Sequence, residues 1–266
     1  MERPAGMEHW SPQRLDALRA LACTAGAAAD SSGGELYDRS AGTYDRTFKK
    51  WGYDAPAKTT ELLRLHAMRC VDGGKVKGRG SRKRDAPASG PVASPAAVAA
   101  TAATACHREA LPVLDAGCGT GLVGEALRAA GFKRIVGVDL SRASLALSGK
   151  KRLYEDLHAC NLECLDVGLP FPTDSFRAVT CVGVLSYVHA FDRLFQEWCR
   201  VTVSGGLVVF THRDELWEAD TDGVRSSAME LEVEPGALWP GGGWVRQYLS
   251  EPEKYMPFSD TPEQRA

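Results

Sequence analysis

The residues best suited to chemistry form one short run, Val113-Leu114-Asp115-Ala116-Gly117-Cys118-Gly119-Thr120-Gly121. An apolar stretch leads into three glycines spaced two apart, Gly117, Gly119 and Gly121, and a helical pattern follows. Glycine lets a backbone turn tightly and approach a ligand. The first amides of the helix are free to donate to that ligand. The overlapping run Gly119-Thr120-Gly121-Leu122-Val123-Gly124 also fits the dinucleotide pattern, with Asp139 at about the right distance beyond it. That reading requires the helix start to receive an anionic pyrophosphate. Asp115, two residues before the first glycine, repels such an anion and favours a ligand that carries an ammonium and a sulfonium. A nicotinamide-dependent oxidoreductase is therefore the alternative, and a strand-to-helix turn without a ligand the plainest reading of all.

Two further acids extend the site. Asp139 ends the apolar run Ile135–Val138, where it is placed to accept both hydroxyls of a ribose. Ser141 already fills the role of helix cap there. Asp166, in Cys164-Leu165-Asp166-Val167, follows an expected third strand and would accept from an adenine amino group, with Leu140 and Val167 flanking the ring. A turn-forming aspartate is the alternative for Asp166. Open α/β sheets bind ligands beyond the C-terminal ends of their strands. His189, after the expected fourth strand, is therefore the candidate general base, and Arg213, after the fifth, the candidate partner of an acidic acceptor.

These residues need an α/β framework to hold them. The pattern predicts a doubly wound, mostly parallel sheet. Strands are expected at Leu111–Ala116, Arg134–Val138, Leu162–Leu165, Ala178–Val184 and Gly206–Phe210, and a closing antiparallel hairpin around Trp244–Leu249 and Tyr255–Phe258 brings the sheet to seven strands. Helices are expected at Gly121–Ala130, from Ser141 to about His158, at Phe191–Arg200, and from Asp214 to about Glu232 with Gly223 interrupting it. Residues 1–71 form a helical leader, with one short helix expected at Ser11–Cys23. Residues 72–109 open on a basic run, Lys75 to Arg84, and continue rich in Ala, Pro, Ser and Thr, too poor in large apolar side chains to offset the entropy of ordering. They read as a disordered insertion, and residues 110–266 as the core domain.

Composition sets outer bounds. The chain has 266 residues, 44% hydrophobic and 25% charged, with a formal net charge of -2. No global basic field draws it to nucleic acid or membrane. No apolar run approaches the ~20 residues of a membrane span, and Met1–Trp10 lacks the apolar stretch of a secretion signal. A cytoplasmic location is expected, with a nuclear one open through the basic run at 75–84. None of the eight cysteines has Cys-x-x-Cys spacing, so no metal site is expected and the thiols read as reduced. The oligomeric state is not legible.

At the glycine loop the chain resembles the class I S-adenosylmethionine-dependent methyltransferases (type 11 methyltransferase domain), over about Leu36–Arg213 apart from the insertion. The resemblance implies a Rossmann-like methyltransferase fold with S-adenosyl-L-methionine as cofactor. The methionine end would lie on Asp115, Gly117, Gly119 and Gly121, and the ribose on Asp139. Pro170-Phe171-Pro172-Thr173-Asp174-Ser175-Phe176 resembles that family's approach to its fourth strand, with Arg177 where an aspartate is usual. Ser204-Gly205-Gly206-Leu207 resembles its Pro-Gly-Gly turn, with Ser204 in place of the proline. Leu36-Tyr37-Asp38-Arg39-Ser40-Ala41-Gly42-Thr43-Tyr44-Asp45, then Gly52-Tyr53-Asp54-Ala55-Pro56, is similar to the methyltransferase-like family of the Williams–Beuren region, although Ser40 stands where a bulky aromatic is common. There such a helix closes over the cofactor. Tyr37 and Tyr44 share a helix face, and either they reach the cofactor carboxylate or they pack on the core. The implied reaction is direct displacement at the sulfonium methyl, with positioning and exclusion of water as the main catalytic devices. The sequence has no Asn-Pro-Pro-Tyr-like run and no Pro-Cys nucleophile. A small-molecule acceptor is therefore expected first, a protein or RNA acceptor next. A non-catalytic S-adenosylmethionine-binding adaptor is a further alternative.

Overall fold

The computed structural model describes residues 32–71, 110–233 and 243–258. Five parallel strands form one sheet: β1 (Val113–Ala116), β2 (Ile135–Asp139), β3 (Asp156–Ala159), β4 (Phe176–Cys181) and β5 (Thr202–Phe210). Their order is β3-β2-β1-β4-β5. Leu114 of β1 faces Val136 of β2 on one side and Val179 of β4 on the other. All four residues of β1 are buried, because helices cover both faces and no polar–apolar alternation is needed. The order reverses at β1. The chain moves outward to β3 and then returns to place β4 on the other side, so a crevice opens between the C-terminal ends of β1 and β4.

The helices are α1 (Ser32–Lys50), α2 (Ala55–Val71), α3 (Leu122–Ala129), α4 (Arg142–Lys151), α5 (Phe191–Val201), α6 (Asp214–Ala219) and α7 (Val224–Glu230). Phe191, Leu194, Phe195 and Trp198 of α5 lie at helical spacing on one face and are all fully buried. Burial of each such side chain contributes roughly 1.5–3 kcal/mol. On the opposite face of the sheet, Val123 and Leu127 of α3 pack with Leu63 of α2 over Val113, Ile135 and Ala178. A third cluster joins Phe48 and Trp51 to Met256 of the C-terminal segment.

Several expectations are corrected. The helix after Ser141 stops at Lys151, where Arg152 takes a left-handed conformation (φ 53°), and β3 follows at Asp156–Ala159 inside the stretch expected to be helix. This edge strand is half-exposed and has no apolar run to announce it. Leu162 and Leu165, read as the third strand, are buried from a turn, as part of the cluster that includes α5. Buried leucines in a loop mimic a strand. The expected terminal hairpin is not formed among the described residues. Trp244 makes a single parallel bridge to Glu232, while Phe258 donates its amide to the Trp51 carbonyl (3.1 Å). The described sheet thus has five strands rather than seven. The helix expected from Asp214 divides at Asp220–Gly223, where both of those residues have positive φ. The expected helix at 11–23 and the expected disordered insertion at 72–109 lie outside the described residues. No helix among the described residues is long and apolar enough to cross a membrane.

Candidate active site

The glycine loop begins where β1 ends. The amides of Gly117 and Cys118 both donate to the Val138 carbonyl (2.8 and 2.9 Å), which pins the loop to β2. Gly117 has φ +75°, and a Cβ there would lie 2.4 Å from Cγ2 of Val184. Any other residue is excluded both by conformation and by space. Gly119 differs. Its φ is +51°, yet nothing lies within 4 Å of where its Cβ would be, so this glycine faces open space. Its amide donates to Oδ2 of Asp139 (2.7 Å), and its carbonyl accepts from the Ser148 hydroxyl (2.7 Å). Gly121, also at positive φ, starts α3.

Asp139 sits at the end of β2 as expected. Its second oxygen accepts from the Ser141 amide (2.8 Å), so each carboxylate oxygen holds one backbone donor and keeps a further acceptor site. Burial pushes its pKa above the ordinary value. Leu140 beside it is partly exposed. Asp115 is placed differently. It has no exposed surface, and its carboxyl accepts from the hydroxyls of Tyr154 (2.7 Å) and Thr180 (3.4 Å) beneath the loop. Burial pushes its pKa up to about 7, against the opposing hydrogen bond from Tyr154.

The leader helix is fastened by its two aspartates. Asp38 accepts from the Ser141 hydroxyl and the Ala143 amide, and so caps α4 from outside. Asp45 accepts from the Thr120 hydroxyl within the glycine loop and pairs with Lys151. Lys151 also meets Glu125 of α3, which meets Lys49 of α1, so one charged network binds α1, α3 and α4 around the loop. Asp38 and Asp45 share the seven-residue spacing of the tyrosines beside them, and that signal was present in the sequence. Tyr44 stacks on Phe48 (3.9 Å) and lies within the electrostatic reach of Asp139. The side chain of Tyr37 lies outside the described residues.

The remaining candidates separate. Asp166 and Val167 do not follow a strand. They sit on an exposed turn closed by a Gly168-to-Leu165 hydrogen bond, with the Asp166 carbonyl held by Arg193, and Val167 is 98% exposed. The residue that leaves β3 beside Asp139 is Cys160, whose amide donates to the Asp139 carbonyl, and Asn161 follows it. Sequence reasoning missed Asn161 because it misplaced the strand. His189 is tied to Glu163 through its amide (2.6 Å) and its Nδ1 (3.4 Å). Arg213 pairs with Glu215 (2.9 Å) at the surface. The His212 side chain, by contrast, is buried, and its Nε2 meets Asp222 (2.9 Å). Among the described residues no group of three or more potential ligands is arranged to hold a metal ion.

Comparison with known proteins fits this geometry. A family model described as a methyltransferase domain matches residues 114–210. Human methyltransferase-like protein 27 is 36% identical over 158 residues, 53% of this chain and 63% of that protein. A demethylmenaquinone methyltransferase of Thermobifida fusca is 29% identical over 151 residues, 56% of this chain and 60% of that protein. The chain thus spans about three fifths of the length of these curated relatives. The crystal structure of an S-adenosylmethionine-dependent methyltransferase from Mesorhizobium loti aligns with TM-score 0.36 and 26% identity, over 40% of this chain and 48% of that one. The glycine loop, the acid ending β2 and nearly all of the parallel sheet lie inside residues 114–210, the stretch that matches a methyltransferase domain.

Proposed function

We propose that this chain transfers the methyl group of S-adenosylmethionine to a small-molecule acceptor in the crevice between β1 and β4. The observation that carries the reading is the pairing of Gly119 with Asp139: an open backbone cradle, with its amide fixed by the acid that would hold a ribose. The cofactor supplies a methyl group already activated on sulfur. Asp139 would accept from the ribose hydroxyls, and Gly117, Gly119 and Gly121 would bring the backbone against the methionine end. Tyr44, on the helix fastened by Asp38 and Asp45, would cover the site and exclude water. For the adenine edge we take Asn161 in place of Asp166, with Leu140 on one flank, because Asn161 is the second residue beyond β3, whose last residue pairs with Asp139. Asp115 would act across the loop, by fixing its base through Tyr154, rather than by touching the ligand.

Thermal unfolding with ~1 mM S-adenosylmethionine tests this reading. A ligand at ~100 times its Kd adds roughly 2.7 kcal/mol, or about 5–10 °C for a domain of this size. The shift should vanish in Asp139→Ala. A shift with NADH instead would overturn the reading in favour of the oxidoreductase. Binding without turnover on any acceptor extract would favour the adaptor.

A further inference from the structure

The far bank of the crevice is lined by side chains that no motif announces. Gly183 stands two residues beyond β4, and a Cβ there would lie 2.7 Å from the Tyr255 hydroxyl and 2.9 Å from that of Tyr53. The next residue, Val184, is the one that abuts Gly117. The two phenols therefore touch the neighbour in sequence of the residue that packs against the loop proposed to hold the reactive end of the cofactor. Tyr53 comes from the connection between α1 and α2, and Tyr255 from the C-terminal segment. Their rings lie 5.0 Å apart, and their hydroxyls share a hydrogen bond. Tyr44 lies within the electrostatic reach of Tyr255, Tyr187 and Asp139 together. Four phenols and one carboxylate thus converge beyond the C-terminal ends of β2 and β4.

We propose, on the basis of the methyltransferase reading above, that Tyr53, Tyr255 and Tyr44 form the acceptor subsite and that the atom methylated is an amine nitrogen. Phenol rings and oxygens attract a cation, most strongly where water is excluded. Burial holds the phenols of Tyr44, Tyr53 and Tyr255 above their ordinary range, so they stay neutral and cannot serve as bases at physiological pH. The nearby histidines are engaged elsewhere, His189 with Glu163 and His212 with Asp222. Arg213, whose charge reaches Tyr255, is paired with Glu215. A hydroxyl acceptor needs a base early in the reaction, whereas a free-base amine brings its own lone pair. That pair forms the new N–C bond as the C–S bond breaks, and the electrons of the broken bond stay on sulfur as a neutral thioether. The positive charge moves to nitrogen, beside the phenols, and any N–H proton leaves to water.

The test is calorimetry on the full chain saturated with S-adenosylhomocysteine, titrated with choline and with its neutral isostere 3,3-dimethylbutan-1-ol. Binding of S-adenosylhomocysteine is read first, and its failure overturns the methyltransferase reading rather than this one. Choline should bind about tenfold or more tightly than the alcohol. Tyr255→Leu and Tyr53→Leu should erase that preference while the S-adenosylhomocysteine Kd moves less than about threefold, and Tyr255→Phe, which keeps the ring, should retain most of it. Equal affinity for the two probes, or a preference that survives both leucine variants, overturns the proposal. If Tyr255→Leu fails to bind S-adenosylhomocysteine, the wild-type probe pair and Tyr53→Leu decide.

Discussion

The two banks of the crevice are built on opposite plans. On the β1–β2 bank the backbone of the loop is shaped mainly by the adjacent strand β2 and the helix that follows it: Gly117 and Cys118 to Val138, Gly119 to Asp139, Ser148 to Gly119. This bank is backbone, and its shape follows from three glycines and an acid at fixed spacing. On the β4 bank the surface is aromatic and comes from the two ends of the described chain, with Tyr53 and Tyr255 laid over Gly183 and Tyr44 within their electrostatic reach. The first plan suits a ligand that many proteins share, because a backbone cradle tolerates change elsewhere. The second suits specificity, because each contributor can vary independently of the loop.

The largest effect expected from breaking this arrangement is at its one joint, where Val184 fills the space beside Gly117. In Gly117→Ala the left-handed backbone costs roughly 1–2 kcal/mol and the collision with Val184 a further 1–3 kcal/mol. Loss of S-adenosylmethionine binding together with a drop in Tm is expected. If binding by this variant stayed intact, the two banks would not be mechanically joined.

Asp115 gives an effect somewhat smaller and dependent on pH. Unfolded, its carboxyl titrates near the ordinary 3.8; folded, near 7. Between those values the folded state binds the extra proton, so Asp115 lowers stability as pH rises through that window, and the cost is complete above about 7. Asp115→Asn keeps a partner for the Tyr154 hydroxyl and removes the titration. Its unfolding free energy should match wild type near pH 4 and exceed it at pH 8, by an amount on the order of 2–4 kcal/mol. A difference that does not change with pH would mean the carboxyl ionises normally beneath the loop.

The smallest effect sharpens the comparison at the lid. Asp45→Ala removes one hydroxyl hydrogen bond and one half-buried ion pair to Lys151, about 1–2 kcal/mol of docking for α1. S-adenosylmethionine should bind roughly tenfold more weakly, with faster amide exchange in α1 and the β-strands unaffected. Unchanged exchange in α1 would show that Asp38, Phe48 and Trp51 seat the helix without Asp45.

Much of the β1–β2 bank was legible because its geometry is carried by contiguous residues. The loop, Asp139, the cap at Ser141 and the amphipathic α5 all stand where spacing put them. Asp115 was legible in position and not in environment: nothing in its spacing reveals Tyr154, which lies 39 residues away in sequence. β3 was missed because an edge strand exposed on part of its surface lacks the apolar run that marks a central one. With it went Asn161, the residue proposed above for the adenine edge.

By itself, then, the sequence determined the parallel sheet, the cofactor loop and the acid at the end of β2, because strand burial and glycine conformation are properties of short segments. Only the tertiary structure decided what Asp38 and Asp45 fasten, which way Asp115 turns, and that Tyr53 and Tyr255 meet over Gly183. Those contacts join segments tens to hundreds of residues apart. Their partners are chosen by packing of the whole domain, which no local pattern encodes.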